Sequence, residues 1–397
     1  MSAAGTIGRT GLLALGFTAA ATAGESSCAW EPVVPGVTPD SAVFALAVHD
    51  DGSGPALFAA GAFRTIGAAE RRYIARYDGT AWEDVGGGVG FDVNALAVHD
   101  SGDGPALYAG GRFPTAGGAA ANRIARWDGV AWSPLAEGLD GDVLALASYN
   151  GGDGAQLFAG GRFVTSGATA VPFLGAWDGA SWAAVDGSTD GFVFSLGVVR
   201  QGFNVETQST DTRLWVGGLF GQAGELTARN VAAWSGERWF TLSTGTSDIV
   251  RAITEFDDGT GLAPHIGGDF ATANVPVFGI AKYQFTQFLD LDDGVLGDVL
   301  ALARHDDGRG EALYVAGTFR EAGPIRANRI ARWDGADWEP LGAGLFGDVR
   351  ALASFDGDLY AGGWFLNAGG VDTPYVARWR CASDRIFGNG FETIDAR

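Results

Sequence analysis

One lysine, one methionine, two cysteines and four histidines stand among 397 residues. So few thiols and imidazoles exclude a cysteine-rich metal cluster or a disulfide-dense scaffold. Positive charge rests almost wholly on arginine and is outnumbered: Lys and Arg total 26 against 47 Asp and Glu, a net charge of −21. A surface this acidic repels phosphate backbones, so no nucleic acid partner is expected and anionic membranes are disfavoured. Long apolar runs are also missing. The most apolar stretch, "GLLALGFTAAATA" at residues 11–23, is shorter than the about 20 residues a spanning helix needs, so no membrane span is expected. Phosphate loops, nucleophile elbows and metalloprotease helix motifs are absent from the chain.

What remains is glycine, aromatics and short apolar runs. Gly numbers 64, aromatics make up 12% and apolar residues 47%, a composition of short strands and tight turns. Residues 1–23 read as a signal peptide: Arg9 supplies a positive start, the apolar stretch follows, and Ala21-Thr22-Ala23 supplies the small-residue cleavage pattern. The expected location is exported, whether extracellular, cell-surface or periplasmic, and oxidising.

Self-comparison shows a repeat. "ALAVHDDGSGPALFAAGAF" (45–63) matches "ALAVHDSGDGPALYAGGRF" (95–113), "ALASYNGGDGAQLFAGGRF" (145–163) and "ALARHDDGRGEALYVAGTF" (301–319). Units start at Ala45, Ala95, Ala145 and Ser195, 50 apart, and continue at Arg251, Ala301 and Ala351 after one step of 56. Each has a Gly-x-Phe: Gly61, Gly111, Gly161, Gly218, Gly268, Gly317 and Gly363 precede Phe63, Phe113, Phe163, Phe220, Phe270, Phe319 and Phe365. An aromatic follows (Trp127, for example), and five residues later a second (Trp132). The first six units contain four strand-length apolar runs separated by tight turns, and Asp-Gly between the aromatics marks a hairpin. Four antiparallel strands repeated seven times predict an all-β, seven-bladed β-propeller.

"LYAGG" followed by "ARWDGVAW" resembles the kelch repeat: an apolar run, a double glycine and two spaced aromatics. The resemblance covers residues 30–380, with a tighter aromatic spacing and Ala60 and Ala316 in place of the first glycine. It is similar in style to secreted bacterial propellers with "GGRF…ANRIARWDG" repeats. It implies a fold and no shared activity.

The seventh unit lacks its fourth strand, and "CAWEPVVPGVTPDSAVF" (28–44) matches "DWEPLGAGLFGDVR" (337–350). The N-terminal strand is therefore expected to complete the last blade. In that alignment Cys381 takes the place of Gly335 and Cys28 that of Ala336, neighbours in a turn, which predicts a Cys28–Cys381 disulfide. The expected organisation is a signal peptide, a monomeric propeller over 28–382, and a tail over 383–397 that resembles short F-x-x-G-F-E sorting endings.

In a propeller, the 4–1 and 2–3 loops share the face around the channel mouth. An acid recurs there before the innermost strand: Asp92, Asp142, Asp248, Asp298 and Asp348, with Phe192 and Ala42 at the other two positions. These are the candidate ligand-binding residues. The competing reading has each cap a turn or pair with a strand-3 base: Arg76, Arg126, Lys282, Arg332 or Arg378. Acidic 1–2 loops such as "HDDGSG" leave calcium as the one candidate cofactor. His49, His99 and His305 share one strand-end position, read as exposed, and His265 lies in strand 2. The segments 200–214 and 266–288 depart from the repeat and are candidates for specific function. Two functions fit: a non-enzymatic propeller binding a protein or glycan through loops at one face, or a carbohydrate-active hydrolase or lyase using the mouth carboxylates. Even repetition of the acids favours the first, because catalysis needs unlike groups with separated pKa values.

Overall fold

A computed structural model describes residues 28–204 and 209–381. The expected signal peptide, residues 1–23, and the expected tail, residues 383–397, lie outside the described residues. The described chain contains strands and turns without a helix, so no helix there is long and apolar enough to cross a membrane.

Seven four-stranded antiparallel sheets form the blades. Their innermost strands are Val43–Asp50, Val93–Asp100, Val143–Asn150, Phe192–Asn204, Val250–Asp257, Val299–Asp306 and Leu345–Phe355. In blade 2 the remaining strands are Pro105–Gly111, Ile124–Trp127 and Trp132–Pro134, in that order outward. Each innermost strand packs against those of the two neighbouring blades, which closes a ring around an axial channel. A feature not anticipated from the repeat is a two-residue hairpin in each 2–3 loop, such as Thr115–Ala116 with Ala119–Ala120. Linkers entering four blades bridge to it, for example Val89 to Ala116, so the 4–1 and 2–3 loops do share one face.

The repeated residues have identifiable tasks. The two aromatics of each outer hairpin pack against each other in every blade, tilted or edge-on, with centroids from 5.0 Å (Trp333–Trp338) to 5.5 Å (Trp127–Trp132). The second Trp also staples blades together: Trp132 Nε1 donates to the Val85 carbonyl of the preceding blade at 2.8 Å. Trp182, Trp239 and Trp338 donate likewise to Leu135, Asp186 and Leu291. Each such buried bond contributes about 1 kcal/mol net. The Gly of Gly-x-Phe is fixed by close approach: a Cβ on Gly161 would stand 2.1 Å from the Asp142 carbonyl oxygen. All seven glycines meet the equivalent carbonyl at 2.0–2.2 Å. The Phe is then buried between blades.

Residues Cys28–Pro32 pair antiparallel with Val376–Cys381, so the N-terminal strand completes blade 7 as the alignment predicts. Trp30 Nε1 donates to the Leu341 carbonyl at 3.0 Å, the same staple made by Trp132, Trp182, Trp239 and Trp338. The ring is sealed where Gly362 of blade 7 packs under Val43 of blade 1. Cys28 and Cys381 are register partners joined by a disulfide, with Cα atoms 3.9 Å apart. That is close to the 3.8 Å between consecutive residues, so the bridge stands where the other blades have a peptide-linked turn.

The repeat alignment needs one correction. The valine opening each innermost strand pairs with the Gly of Gly-x-Phe: Val193 with Gly218, Val250 with Gly268, Val299 with Gly317. Ala252, not Arg251, therefore matches Ala45, and unit 5 is one residue short. The deletion lies in its 2–3 hairpin, Thr272–Ala273 with Val275–Pro276, which turns through Asn274 alone at φ 62°. The departure at 200–214 lengthens the first two strands of blade 4, Phe192–Asn204 and Ser209–Leu219, on the face opposite the 4–1 loops.

Candidate functional site at the channel mouth

Six of the innermost strands carry a register shift just after their first or second residue, and blade 7 carries the same one between Val349 and Ala351. The residue before the valine turns its carbonyl to the second strand: Ala42 O accepts from Ala62 N, Asp92 O from Arg112 N, Ile249 O from Asp269 N. The residue after the valine is left unpaired as a β-bulge, a device that re-aims side chains. Seven bulges thus deliver seven side chains, Phe44, Asn94, Leu144, Phe194, Arg251, Leu300 and Arg350, to a cavity of about 240 Å³ on the axis. The backbone is seven-fold; the side chains are not. Deeper in the channel the lining is uniform and aliphatic, Leu46, Leu96, Leu146, Leu196, Ile253, Leu302 and Leu352.

Guanidinium groups lie over the two phenyl rings of the cavity. Arg350 lies over Phe44 at 5.6 Å, and Arg251 and Arg162 lie over Phe194 at 5.2 and 5.4 Å. Arg251 is also held in a two-point ion pair with Asp269, at 2.6 and 2.7 Å. Arg112 sits between Asp92 and Asp142, 3.7 Å from each. Burial raises the Asp92 carboxyl, opposed by Arg112. Burial and the neighbouring Asp269 raise that of Asp298.

Asp92, Asp142, Asp298 and Asp348 do occupy one repeated position at the mouth, immediately before the opening valine. Asp248 does not. Ile249 holds that position in blade 5, and the exposed Asp248 carboxylate accepts from the Ile249 N–H instead. The expected strand-3 partners are elsewhere. Arg76 binds Glu83 and faces Asp51, Lys282 binds Asp258, and Arg378 binds Glu31, all toward the opposite face. The turn-capping acids of the mouth are different ones: Asp40, Asp140 and Asp190 each accept from two consecutive N–H groups of the neighbouring 2–3 loop.

The acidic 1–2 loops have their own local order. Asp50, Asp100, Asp257 and Asp306 each accept from the N–H groups two and four residues on. This capping explains the Asp/Gly spelling that suggested calcium. Asp307 lies beside the sulfurs of Cys28 and Cys381, but sulfurs joined in a disulfide are not thiolate ligands. The strand-end histidines are buried, not exposed: His99 and His305 hydrogen-bond Ser148 and Ser354 of the next blade at 2.8 Å, and burial lowers the pKa of each. His265 is fully buried, donates from Nδ1–H to the Ala263 carbonyl at 3.0 Å, and has its pKa lowered to about 4 by burial.

The geometry defines a seven-bladed propeller with an asymmetric mouth cavity. Compared with family models and with curated proteins, the chain matches none. The bulge residues escaped the sequence reading because they vary from unit to unit. Their signal was that variation itself, a changing residue inside an otherwise repeated "V-x-A-L".

Proposed function

We propose that this chain is an exported, monomeric, kelch-like binding propeller that recognises a protein or glycan through the loops of the mouth face, without catalysis. The observation that carries this is the distribution of exposed apolar side chains. Phe91, Phe192, Phe278, Leu296, Phe346, Trp364 and Leu366 all stand on the mouth-face loops or the strand ends that meet them. The opposite face exposes fewer, chiefly Val130 and Phe285 at hairpin tips. Clustered exposed aromatics beside arginine are the composition of binding hot spots. The enzyme reading, a carbohydrate-active hydrolase or lyase, draws on the raised Asp92 and Asp298 carboxyls, and calcium stays a proposal for the 1–2 loops.

The test compares the wild-type chain with Phe346→Asp/Trp364→Ala/Leu366→Asp on glycan and peptide arrays. The expected result is binding that this variant loses and that Val130→Asp/Phe285→Asp keeps. Binding lost only in the second variant would place recognition on the other face. Release of new reducing ends or unsaturated sugars from a bound glycan would favour the enzyme.

A further inference from the structure

We infer that the mouth cavity recognises a carboxylate flanked by apolar residues on a protein partner, with Arg350 as the primary contact. This rests on the binding-face reading above and adds the chemistry of the partner. In a chain of net charge −21, arginines at the mouth should be claimed by acids, and two are. Arg112 is shared by Asp92 and Asp142, and Arg251 is closed by Asp269. Arg350 and Arg162 differ: among the described residues neither side chain makes an ion pair or a hydrogen bond, and each lies over phenyl rings. Asp348 lies two residues from Arg350, yet no ion pair joins them.

A guanidinium over a phenyl ring, with no acid or acceptor on its N–H groups, keeps those groups free for a partner. Those groups grip a carboxylate in two-point fashion, and the ring contact lowers the ordering cost of doing so. Arg350 reaches its place because a β-bulge turns it into the cavity, where it meets Phe44 from the neighbouring blade. The cavity, about 240 Å³, admits a single residue-sized group, not a drug-sized ligand.

The surroundings favour a protein over a glycan as the source. On the same blade Phe346 is 57% exposed, Trp364 51% and Leu366 60%. Trp364 pairs in register with Asp348 and is braced edge-on by Tyr375 at 6.4 Å. Sugars stack on aromatic faces, but an exposed leucine beside them is matched by aliphatic side chains. Trp and Arg together are the residues that dominate protein interfaces.

The experiment uses a combinatorial hexapeptide library screened against the full exported chain in two pools, with free and with amidated C-termini. Selected peptides are then resynthesised with each acid changed to its amide, and affinities are read by fluorescence anisotropy. The expected peptides carry an acid next to an apolar residue. Amide replacement and Arg350→Ala each weaken them at least ten-fold, Arg350→Lys weakens them less, and Arg126→Ala on the opposite side leaves them unchanged. Selection from the amidated pool assigns a side-chain carboxylate, and selection from the free pool alone a terminal one. Peptides bound equally by Arg350→Ala, or equally as amides, overturn the inference. If such peptides still need Trp364, the binding face stands and only its carboxylate specificity falls. An empty screen overturns the inference and leaves the face to glycans, which the array measures separately.

Discussion

A glycine that recurs in every unit is an invitation to look for what approaches it. Here it is the carbonyl that precedes each bulge, and a methyl group at Gly161 would overlap the Asp142 oxygen. Gly161→Ala should therefore cost about 1–3 kcal/mol, because the strand or the bulge must shift to make room. Urea unfolding measures this, and an unchanged midpoint would show that the bulge moves freely. His265 offers a second residue-level test. Its position is held by Phe58, Tyr108, Phe158, Trp215, Tyr314 and Tyr360 in the other blades, and burial depresses its pKa to about 4. In the unfolded chain it protonates near 6.5. The unfolded state thus binds more protons between pH 6.5 and 4, and stability contributed above that window is lost as pH falls through it, by on the order of 3 kcal/mol. His265→Phe should flatten that part of the stability curve. The other three histidines, also lowered by burial, would keep a residual slope.

At the scale of the element, the four-stranded unit was legible in the sequence because its aromatics, glycines and turns repeat. Tyr77, Trp127 and Trp333 reported strand 3, and the Asp-Gly turns reported the outer hairpin. What was not legible was register near the axis. Counting from Ser195 to Arg251 assigns the whole length change to unit 4. The structure divides it into a longer unit 4 and a deletion at Asn274, and only strand pairing separates the two. That single residue removed Asp248 from the mouth acids and put Arg251 among the bulge residues. The bulges leave no change in repeat length, since they insert one residue at the same step of every unit, and only the varying residue after the valine marks them. The Trp staples are likewise long-range: a sequence reports the Trp but not the carbonyl 47 positions away that it meets. Trp132→Phe keeps the ring pair but removes one of the two hydrogen bonds to the Val85 carbonyl, which still accepts from Gly88 N–H, so a loss of roughly 1 kcal/mol is expected in denaturant titrations.

The whole molecule depends on the seam in blade 7. Breaking the bridge with Cys28→Ser releases a loop of 353 residues, for which chain entropy predicts about 5–6 kcal/mol lost. Thermal melts with and without reductant test this, and identical melts would mean that strand pairing alone holds the ring. Trp30 and its bond to Leu341 would then carry the closure. The seam also decides how the molecule responds to force. Suppose the chain is held by its flanking segments, before Cys28 and after Cys381, and pulled. Tension passes from one segment through two sulfurs to the other, and the blades lie off the load path. A surface-tethered molecule would extend by its flanks alone. Reduction would put the propeller in series with the load and release roughly 1,200 Å of contour as blades unravel.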